Sequence, residues 1–235
     1  MHPTRRERYR QQTIDEIKAI AMKQLVESGE AAVSLNGIAK EMAMSPGALY
    51  RYFDNRDDLL ADLVVDAYND LAEHLQAAAT ASDPTERLRA VAQGYREWAL
   101  HSPNTYRLIF ESVSGSGLTL AADRVVPAAR RSMNVFLHAI AAAATITDLP
   151  VDDTLRDELT RWGNRAEHPE LPVAVLYLGL TTWTRLHGLL SLEIGNHLAA
   201  TGISADLLYG TEIDTLMRTI APEPVLQAPL DSGAS

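Results

Sequence analysis

The chain of 235 residues contains no cysteine. Disulfides, zinc–thiolate sites, iron–sulfur clusters and cysteine nucleophiles are thereby excluded, and the composition suits a reducing cytoplasm. Lysine is scarce, with three residues, all before position 57. Strand signals are nearly absent, because no stretch alternates apolar and polar residues between turn signals. Long hydrophobic runs are missing as well. The longest, 172–184, ends at Arg185 and His187 and falls short of the ~18 residues of a membrane span. The N-terminus is polar and basic and shows no secretory leader pattern. These absences predict a soluble cytoplasmic protein without membrane contact.

What remains is ample for a globular chain. Hydrophobic residues make up 46%, enough to bury a core at this length. The net charge is −10 but unevenly spread. Residues 1–56 hold nine basic residues against seven acidic ones, a net of +2, which leaves −12 on the rest. Such asymmetry suggests one segment that meets a polyanion and another that does not. Arg5, Arg6, Arg8 and Arg10 read as a basic arm ahead of the first helix.

Helical spacing recurs along the chain. Ile14, Ile17, Ile20, Ala21 and Leu25 mark one face of a first helix, and Gly29 suits the position after its end. Leu35, Ile38, Ala39 and Met42 mark a second. Ser45-Pro46 reads as an N-cap followed by proline at the first helical position, opening a short helix to about Tyr52. Leu49 and Phe53 then face inward. Asn55 caps a long helix from Asp57 to near Ala79, with Asp57 and Asp58 favoured by the helix dipole. Further helices are expected at about 84–100, 103–113, 121–145, 172–198 and 204–220, with a short piece near 153–161. The Gly/Ser stretch 114–117 reads as a loop, and 222–235 as a disordered tail. The fold class is all-α.

The window "SLNGIAKEMAMSPGALYRYF", Ser34 to Phe53, places two short helices around a tight turn. That is a helix-turn-helix arrangement. A second helix of seven residues spans only ~10 Å, suited to presenting its first turn to a DNA major groove. Pro46, Gly47, Ala48, Tyr50 and Arg51 are left outward. Gly47 and Ala48 lack bulk, so backbone can approach a base edge or phosphate. Tyr50 and Tyr52 hydroxyls can donate to phosphate, and Arg51 can do so with charge assistance or reach a guanine. Spacing alone fits equally a helical hairpin whose tyrosines cover the edge of a core.

The stretch "SLNGIAKEMAMSPGALYRYFDNRDDLL" resembles the TetR-type DNA-binding domain. The resemblance rests on Ser34, Ile38-Ala39, Ser45-Pro46-Gly47, Leu49-Tyr50-x-Tyr52-Phe53, Asn55-Arg56 and Leu59. It implies base or phosphate contacts for Pro46, Gly47, Ala48, Tyr50, Arg51 and Tyr52, with Ser45 opening that helix. It implies phosphate contacts for Ser34 and Arg56, and places Asn36 where some members read a base. Ala43 stands at a turn position where glycine is usual, and Arg56 replaces the commoner lysine. In the C-terminal half, "WTRLHGLLSLE" (Trp183, His187, Gly188, Glu193) is similar to the Trp–His–Gly signature of one TetR C-terminal subclass, and "SPNTYRLIFES" to a segment of the same subclass. The family pattern implies an N-terminal DNA-binding domain, 1–56, and a helical domain, 57–221, for dimerisation and ligand sensing.

Tyr95, Trp98, Tyr106, Phe110, Phe136, Trp183 and His187 are candidates to line an inducer pocket, since pockets favour aromatic walls with a few polar groups. Core packing is the favoured role for each of them taken singly. The carboxylate clusters 57–62 and 151–158 sit where helix starts and polar surface want negative charge. The histidines show no metal-ligand spacing, and no metal or cofactor is expected. The composite expectation is a homodimeric repressor that binds a palindromic double-stranded DNA operator and is released by a small molecule. Its rivals are a constitutive DNA-binding dimer and an all-α enzyme.

Overall fold

The computed structural model describes residues 4–111, 121–145 and 151–221. The Gly/Ser stretch 114–117 and the tail lie outside them. Among the described residues there are ten α-helices and no strand. The helices are α1 (Arg5–Ser28), α2 (Leu35–Glu41), α3 (Pro46–Leu49), α4 (Arg56–Ala78) and α5 (Pro84–His101). They continue with α6 (Pro103–Phe110), α7 (Ala122–Ala143), α8 (Asp153–Arg165), α9 (Val173–Ile194) and α10 (Ala205–Ile220). No described helix is long and apolar enough to cross a membrane.

The chain forms two compact units. One is built on the residues up to Thr80 together with Ala90–Phe136, the other on Ala81–Arg89 together with those from Leu137 on. In the first unit, α1 buries Ile17, Ala21 and Leu25, the face the periodicity marked, and α2 buries Leu35, Ile38 and Ala39. Leu49 and Phe53 close this cluster. Helix α4 adds a nearly continuous apolar face from Leu59 to Leu75. Helix α6 packs on both α1 and α4, where Asn104 Nδ2 donates to Val26 O at 2.8 Å.

The N-terminal arm is corrected. Thr4 caps α1, so Arg5, Arg6, Arg8 and Arg10 are helical and exposed. Glu7 N–H donates to Thr4 Oγ1 at 3.2 Å, and Thr4 N–H donates to Glu7 Oε2 at 2.6 Å. This reciprocal box satisfies two otherwise orphaned donors and starts the helix before its apolar face begins.

In the second unit, α9 packs on α8 and α10. Gly179 lets α9 approach the fully buried Leu137, because a Cβ there would collide with Leu137 Cδ2. Arg89 and Asp214 form an ion pair at 2.6 Å, as do Arg185 and Glu212. Of the carboxylates of 151–158, Asp152 caps α8, its Oδ1 accepting from Leu155 N–H at 3.0 Å.

Candidate nucleic-acid interface

The turn between α2 and α3 is made by Met42, Ala43 and Met44. Met44 N–H donates back to Ala39 O at 2.8 Å. Ala43 has φ 52°, in the left-handed region that an L-residue adopts at a cost. The turn therefore carries the Cβ that glycine would have avoided. Serines cap both helices. Ser34 Oγ accepts from Gly37 N–H and Ser45 Oγ accepts from Ala48 N–H, each at 3.3 Å. Each hydroxyl keeps its own hydrogen to donate outward.

Helix α3 is shorter than the spacing predicts. It ends at Leu49 and continues as tightened turns through Tyr52. Arg51 N–H donates to Ala48 O at 3.4 Å and Tyr52 N–H to Leu49 O at 2.8 Å. Both bonds span three residues, the tightening common at a helix end. Leu49 is wholly buried, whereas Ser45, Pro46, Gly47, Tyr50 and Arg51 are exposed; Ala48 and Tyr52 are half-buried. Ser34 and Asn36 are exposed at the start of α2. A Cβ at Gly47 would meet nothing within 4 Å, so the chain's own packing does not demand glycine there. The structure thus gathers the outward side chains of one short helix, with the residues that open its neighbour, on an accessible surface.

Arg56 does something the spacing could not reveal. Its Nε donates to Val33 O at 3.0 Å and its Nη2 to Glu30 O at 2.6 Å. The guanidinium ties the start of α4 to the 3-10 turn at Glu30–Ala32 and the residue after it. Arg10, which the sequence reads only as part of a basic arm, reaches this surface from α1. Its Nη1 donates to Arg51 O at 3.2 Å, and its guanidinium lies 5.2 Å from the Tyr52 ring centroid. Arg10, Ile14, Ile17 and Ala21 follow helical steps on one face, so the α1 periodicity carried backward would have found it.

The aromatic candidates separate. Tyr95, Tyr106, Phe110 and Phe136 form one cluster with Tyr68, their ring centroids 5.0–6.4 Å apart in edge-on or tilted pairs. Burial pushes the Tyr68 hydroxyl up to about 12. Trp98 is buried beside them on α5, its ring N–H donating to Asp70 Oδ2 at 2.7 Å. Trp183 and His187 belong to the other unit and stack on each other at 5.3 Å. That unit also carries a groove of about 300 Å³ lined by Leu155, Glu158, Leu159, Arg161, Trp162, Arg165 and Leu180. None of its residues was among the candidates, although Leu155, Leu159 and Trp162 follow helical steps.

The order of short capped helices has a counterpart among known proteins. The family model for "Bacterial regulatory proteins, tetR family" matches residues 17–63. The model for "Tetracyclin repressor-like, C-terminal domain" matches residues 88–216, more than half of the chain. The chain belongs to the TetR family. TetR-family members are transcriptional regulators rather than enzymes. The HTH-type transcriptional regulator Rv1816 of Mycobacterium tuberculosis is 34% identical over 147 residues, 61% of this chain and 62% of that protein. The match therefore spans less than two thirds of that relative's length. The solved structure of SCO4313, described as a regulatory protein, is 38% identical with a TM-score of 0.73, covering 91% of this chain and 98% of that one. AibR, solved in complex with isovaleryl coenzyme A and operator DNA, shares the TetR fold at 16% identity and a TM-score of 0.52, covering 89% of this chain and 98% of that one.

Proposed function

We propose that this TetR-family regulator acts as a homodimeric repressor on a palindromic DNA operator. The observation that carries the reading is the α2–turn–α3 pair, whose buried Ile38, Leu49 and Phe53 leave Pro46, Gly47, Tyr50 and Arg51 outward. Tyr50, Arg51 and Tyr52 would donate to phosphate or base edges. Ser34, Asn36 and Ser45 would flank them, with Gly47 and Ala48 admitting the backbone. Residues 1–56 would form the DNA-binding part and 57–221 the dimerising, sensing part. The net −10 on the latter keeps it away from the polyanion.

Dimerisation through α9 and α10 finds support in what the single chain leaves uncovered. Leu207 is 71% exposed, Ile203 57% and Leu192 43%. Leu180, Trp183 and His187 are half-buried. Ile213, Leu216, Met217 and Ile220 are instead covered by the chain itself, so the partner's share is smaller than apolar periodicity alone implies. Two copies would set the α3 helices about one turn of DNA apart, ~34–36 Å. A small molecule favouring another spacing would shift the population off DNA. AibR, solved with both an acyl coenzyme A and operator DNA, supports the narrower point that a protein of this fold takes a small molecule as well as DNA.

Selection of duplexes from a randomised pool tests the reading. The chain should recover a two-fold symmetric site, and light scattering should give twice the 25.7 kDa chain mass. Tyr50→Phe should weaken binding to that site by about 0.5–1.5 kcal/mol, the net worth of one hydrogen bond. Recovery of no duplex above background, or one species at the chain mass under micromolar conditions, would overturn it.

A further inference from the structure

Helix α3 is a single turn of four residues, too short to hold its shape unaided. It therefore depends on tertiary contacts to aim its side chains. One side of it is fixed by Leu49 and Phe53 in the core. The Tyr50–Tyr52 turn between those two anchors buries no side chain fully, and carbonyls that follow a helix lack intrahelical donors. A side chain from another element reaches one of them. Arg10 Nη1 of α1 donates to Arg51 O at 3.2 Å.

The same guanidinium lies over the Tyr52 ring, 5.2 Å from its centroid, where the ring's negative face attracts a cation. One guanidinium thus engages both a backbone carbonyl and the adjoining ring. Its own position is set by α1, whose start is fixed by the Thr4–Glu7 box.

We infer that Arg10 is a positioning residue for the DNA-facing segment: α1 uses it to lock the Tyr50–Tyr52 turn, so that Tyr50 and Arg51 leave the surface in a set direction. Its consequence for binding rests on the DNA-binding reading above. The contact itself does not, and the two can be tested apart. A basic residue near DNA has an obvious rival role, direct contact with a phosphate. The roles differ in salt dependence. Removing a phosphate contact releases about one counterion fewer and flattens the slope of log K against log salt by about 0.9. Removing a positioning residue weakens binding and leaves the slope alone.

The test uses the full chain, Arg10→Gln and Tyr52→Leu, singly and together. In the free protein, hydrogen exchange at the Tyr52 and Phe53 amides should quicken in Arg10→Gln while the Ile17 and Leu25 amides stay protected. With the duplex recovered by the wild-type chain from a randomised pool, Arg10→Gln should bind about three- to tenfold more weakly at an unchanged salt slope. Adding Arg10→Gln to Tyr52→Leu should cost less than it does alone, because the two share one interaction. Unaltered exchange at Tyr52 and Phe53 would overturn the inference even if binding fell. A slope flattened by about one would make Arg10 a phosphate contact instead. If the wild type recovers no duplex, the DNA reading fails, and exchange still decides whether Arg10 holds the turn.

Discussion

Replacing Arg56 by glutamine separates two roles for the residue that opens α4. Family resemblance implies a phosphate contact, whereas the structure engages its guanidinium inside the chain. Two carbonyls, Val33 O at 3.0 Å and Glu30 O at 2.6 Å, receive its donors, and the Glu30 carboxylate lies 3.7 Å away. Hydrogen bonds from a charged donor are worth about 1.5–3 kcal/mol each when well shielded. The Arg56 side chain is 33% exposed, so solvent screening reduces that value. A combined loss of about 1–2 kcal/mol is the reasoned figure. For a chain of this size each kcal/mol shifts Tm by about 2–4 °C, which predicts a drop of roughly 2–8 °C for Arg56→Gln. Arg56→Lys keeps the charge but cannot span both carbonyls with one ammonium, and should lose about half as much. Thermal melting of the three proteins without DNA is the assay. Arg56→Gln melting like the wild type, together with a salt slope of DNA binding lowered by about one, would refute the structural role and make Arg56 a phosphate contact alone.

Ala43→Gly should stabilise the chain by about 0.5–1 kcal/mol in urea unfolding, since relief of the left-handed alanine outweighs the added freedom of the unfolded chain; a loss of stability would show that the turn is unstrained. Gly179→Ala should destabilise by about 1–2 kcal/mol, overpacking against Leu137 exceeding the gain in helix propensity, while Gly188→Ala meets nothing within 4 Å in its own chain and should spare that packing; equal effects on unfolding would contradict the asymmetry. The hydrogen bonds from the Thr4 backbone and hydroxyl hold the Glu7 carboxyl below its ordinary 4.5. Its contribution to the start of α1 is therefore present above that value and lost as pH falls through the lowered one. Amide shifts of residues 5–10 should move toward coil values on acidification, and shifts that stay constant until the carboxyl itself has titrated and beyond would contradict the capping role.

Ser34, Ser45-Pro46 and Asn55 start their helices where the sequence places them, and Ile17, Ala21, Leu25, Ile38 and Leu49 are buried as their spacing predicts. These are legible because a cap acts within three residues and an amphipathic face repeats every turn. The Thr4–Glu7 box was equally local, yet a run of arginines concealed it, since charge says nothing about backbone conformation. All-α class, helix order and the helix-turn-helix are thus properties of the sequence by itself.

Other features depended on what the fold brings close. Arg10 and Arg56 read as surface cations, and their bonds to Arg51 O, Val33 O and Glu30 O join residues 23–41 positions apart. The seven aromatic candidates looked like one set, but the fold gathers four around Tyr68 and leaves Trp183 and His187 on the other unit. Gly179 and Gly188 lie on one helix, and Leu137 stands against the first and not the second. Caps and faces are set by neighbours along the chain, so the sequence alone determines them. The carbonyl a guanidinium meets, or the side a helix leaves bare, is set by residues distant in sequence, so only the tertiary structure decides it.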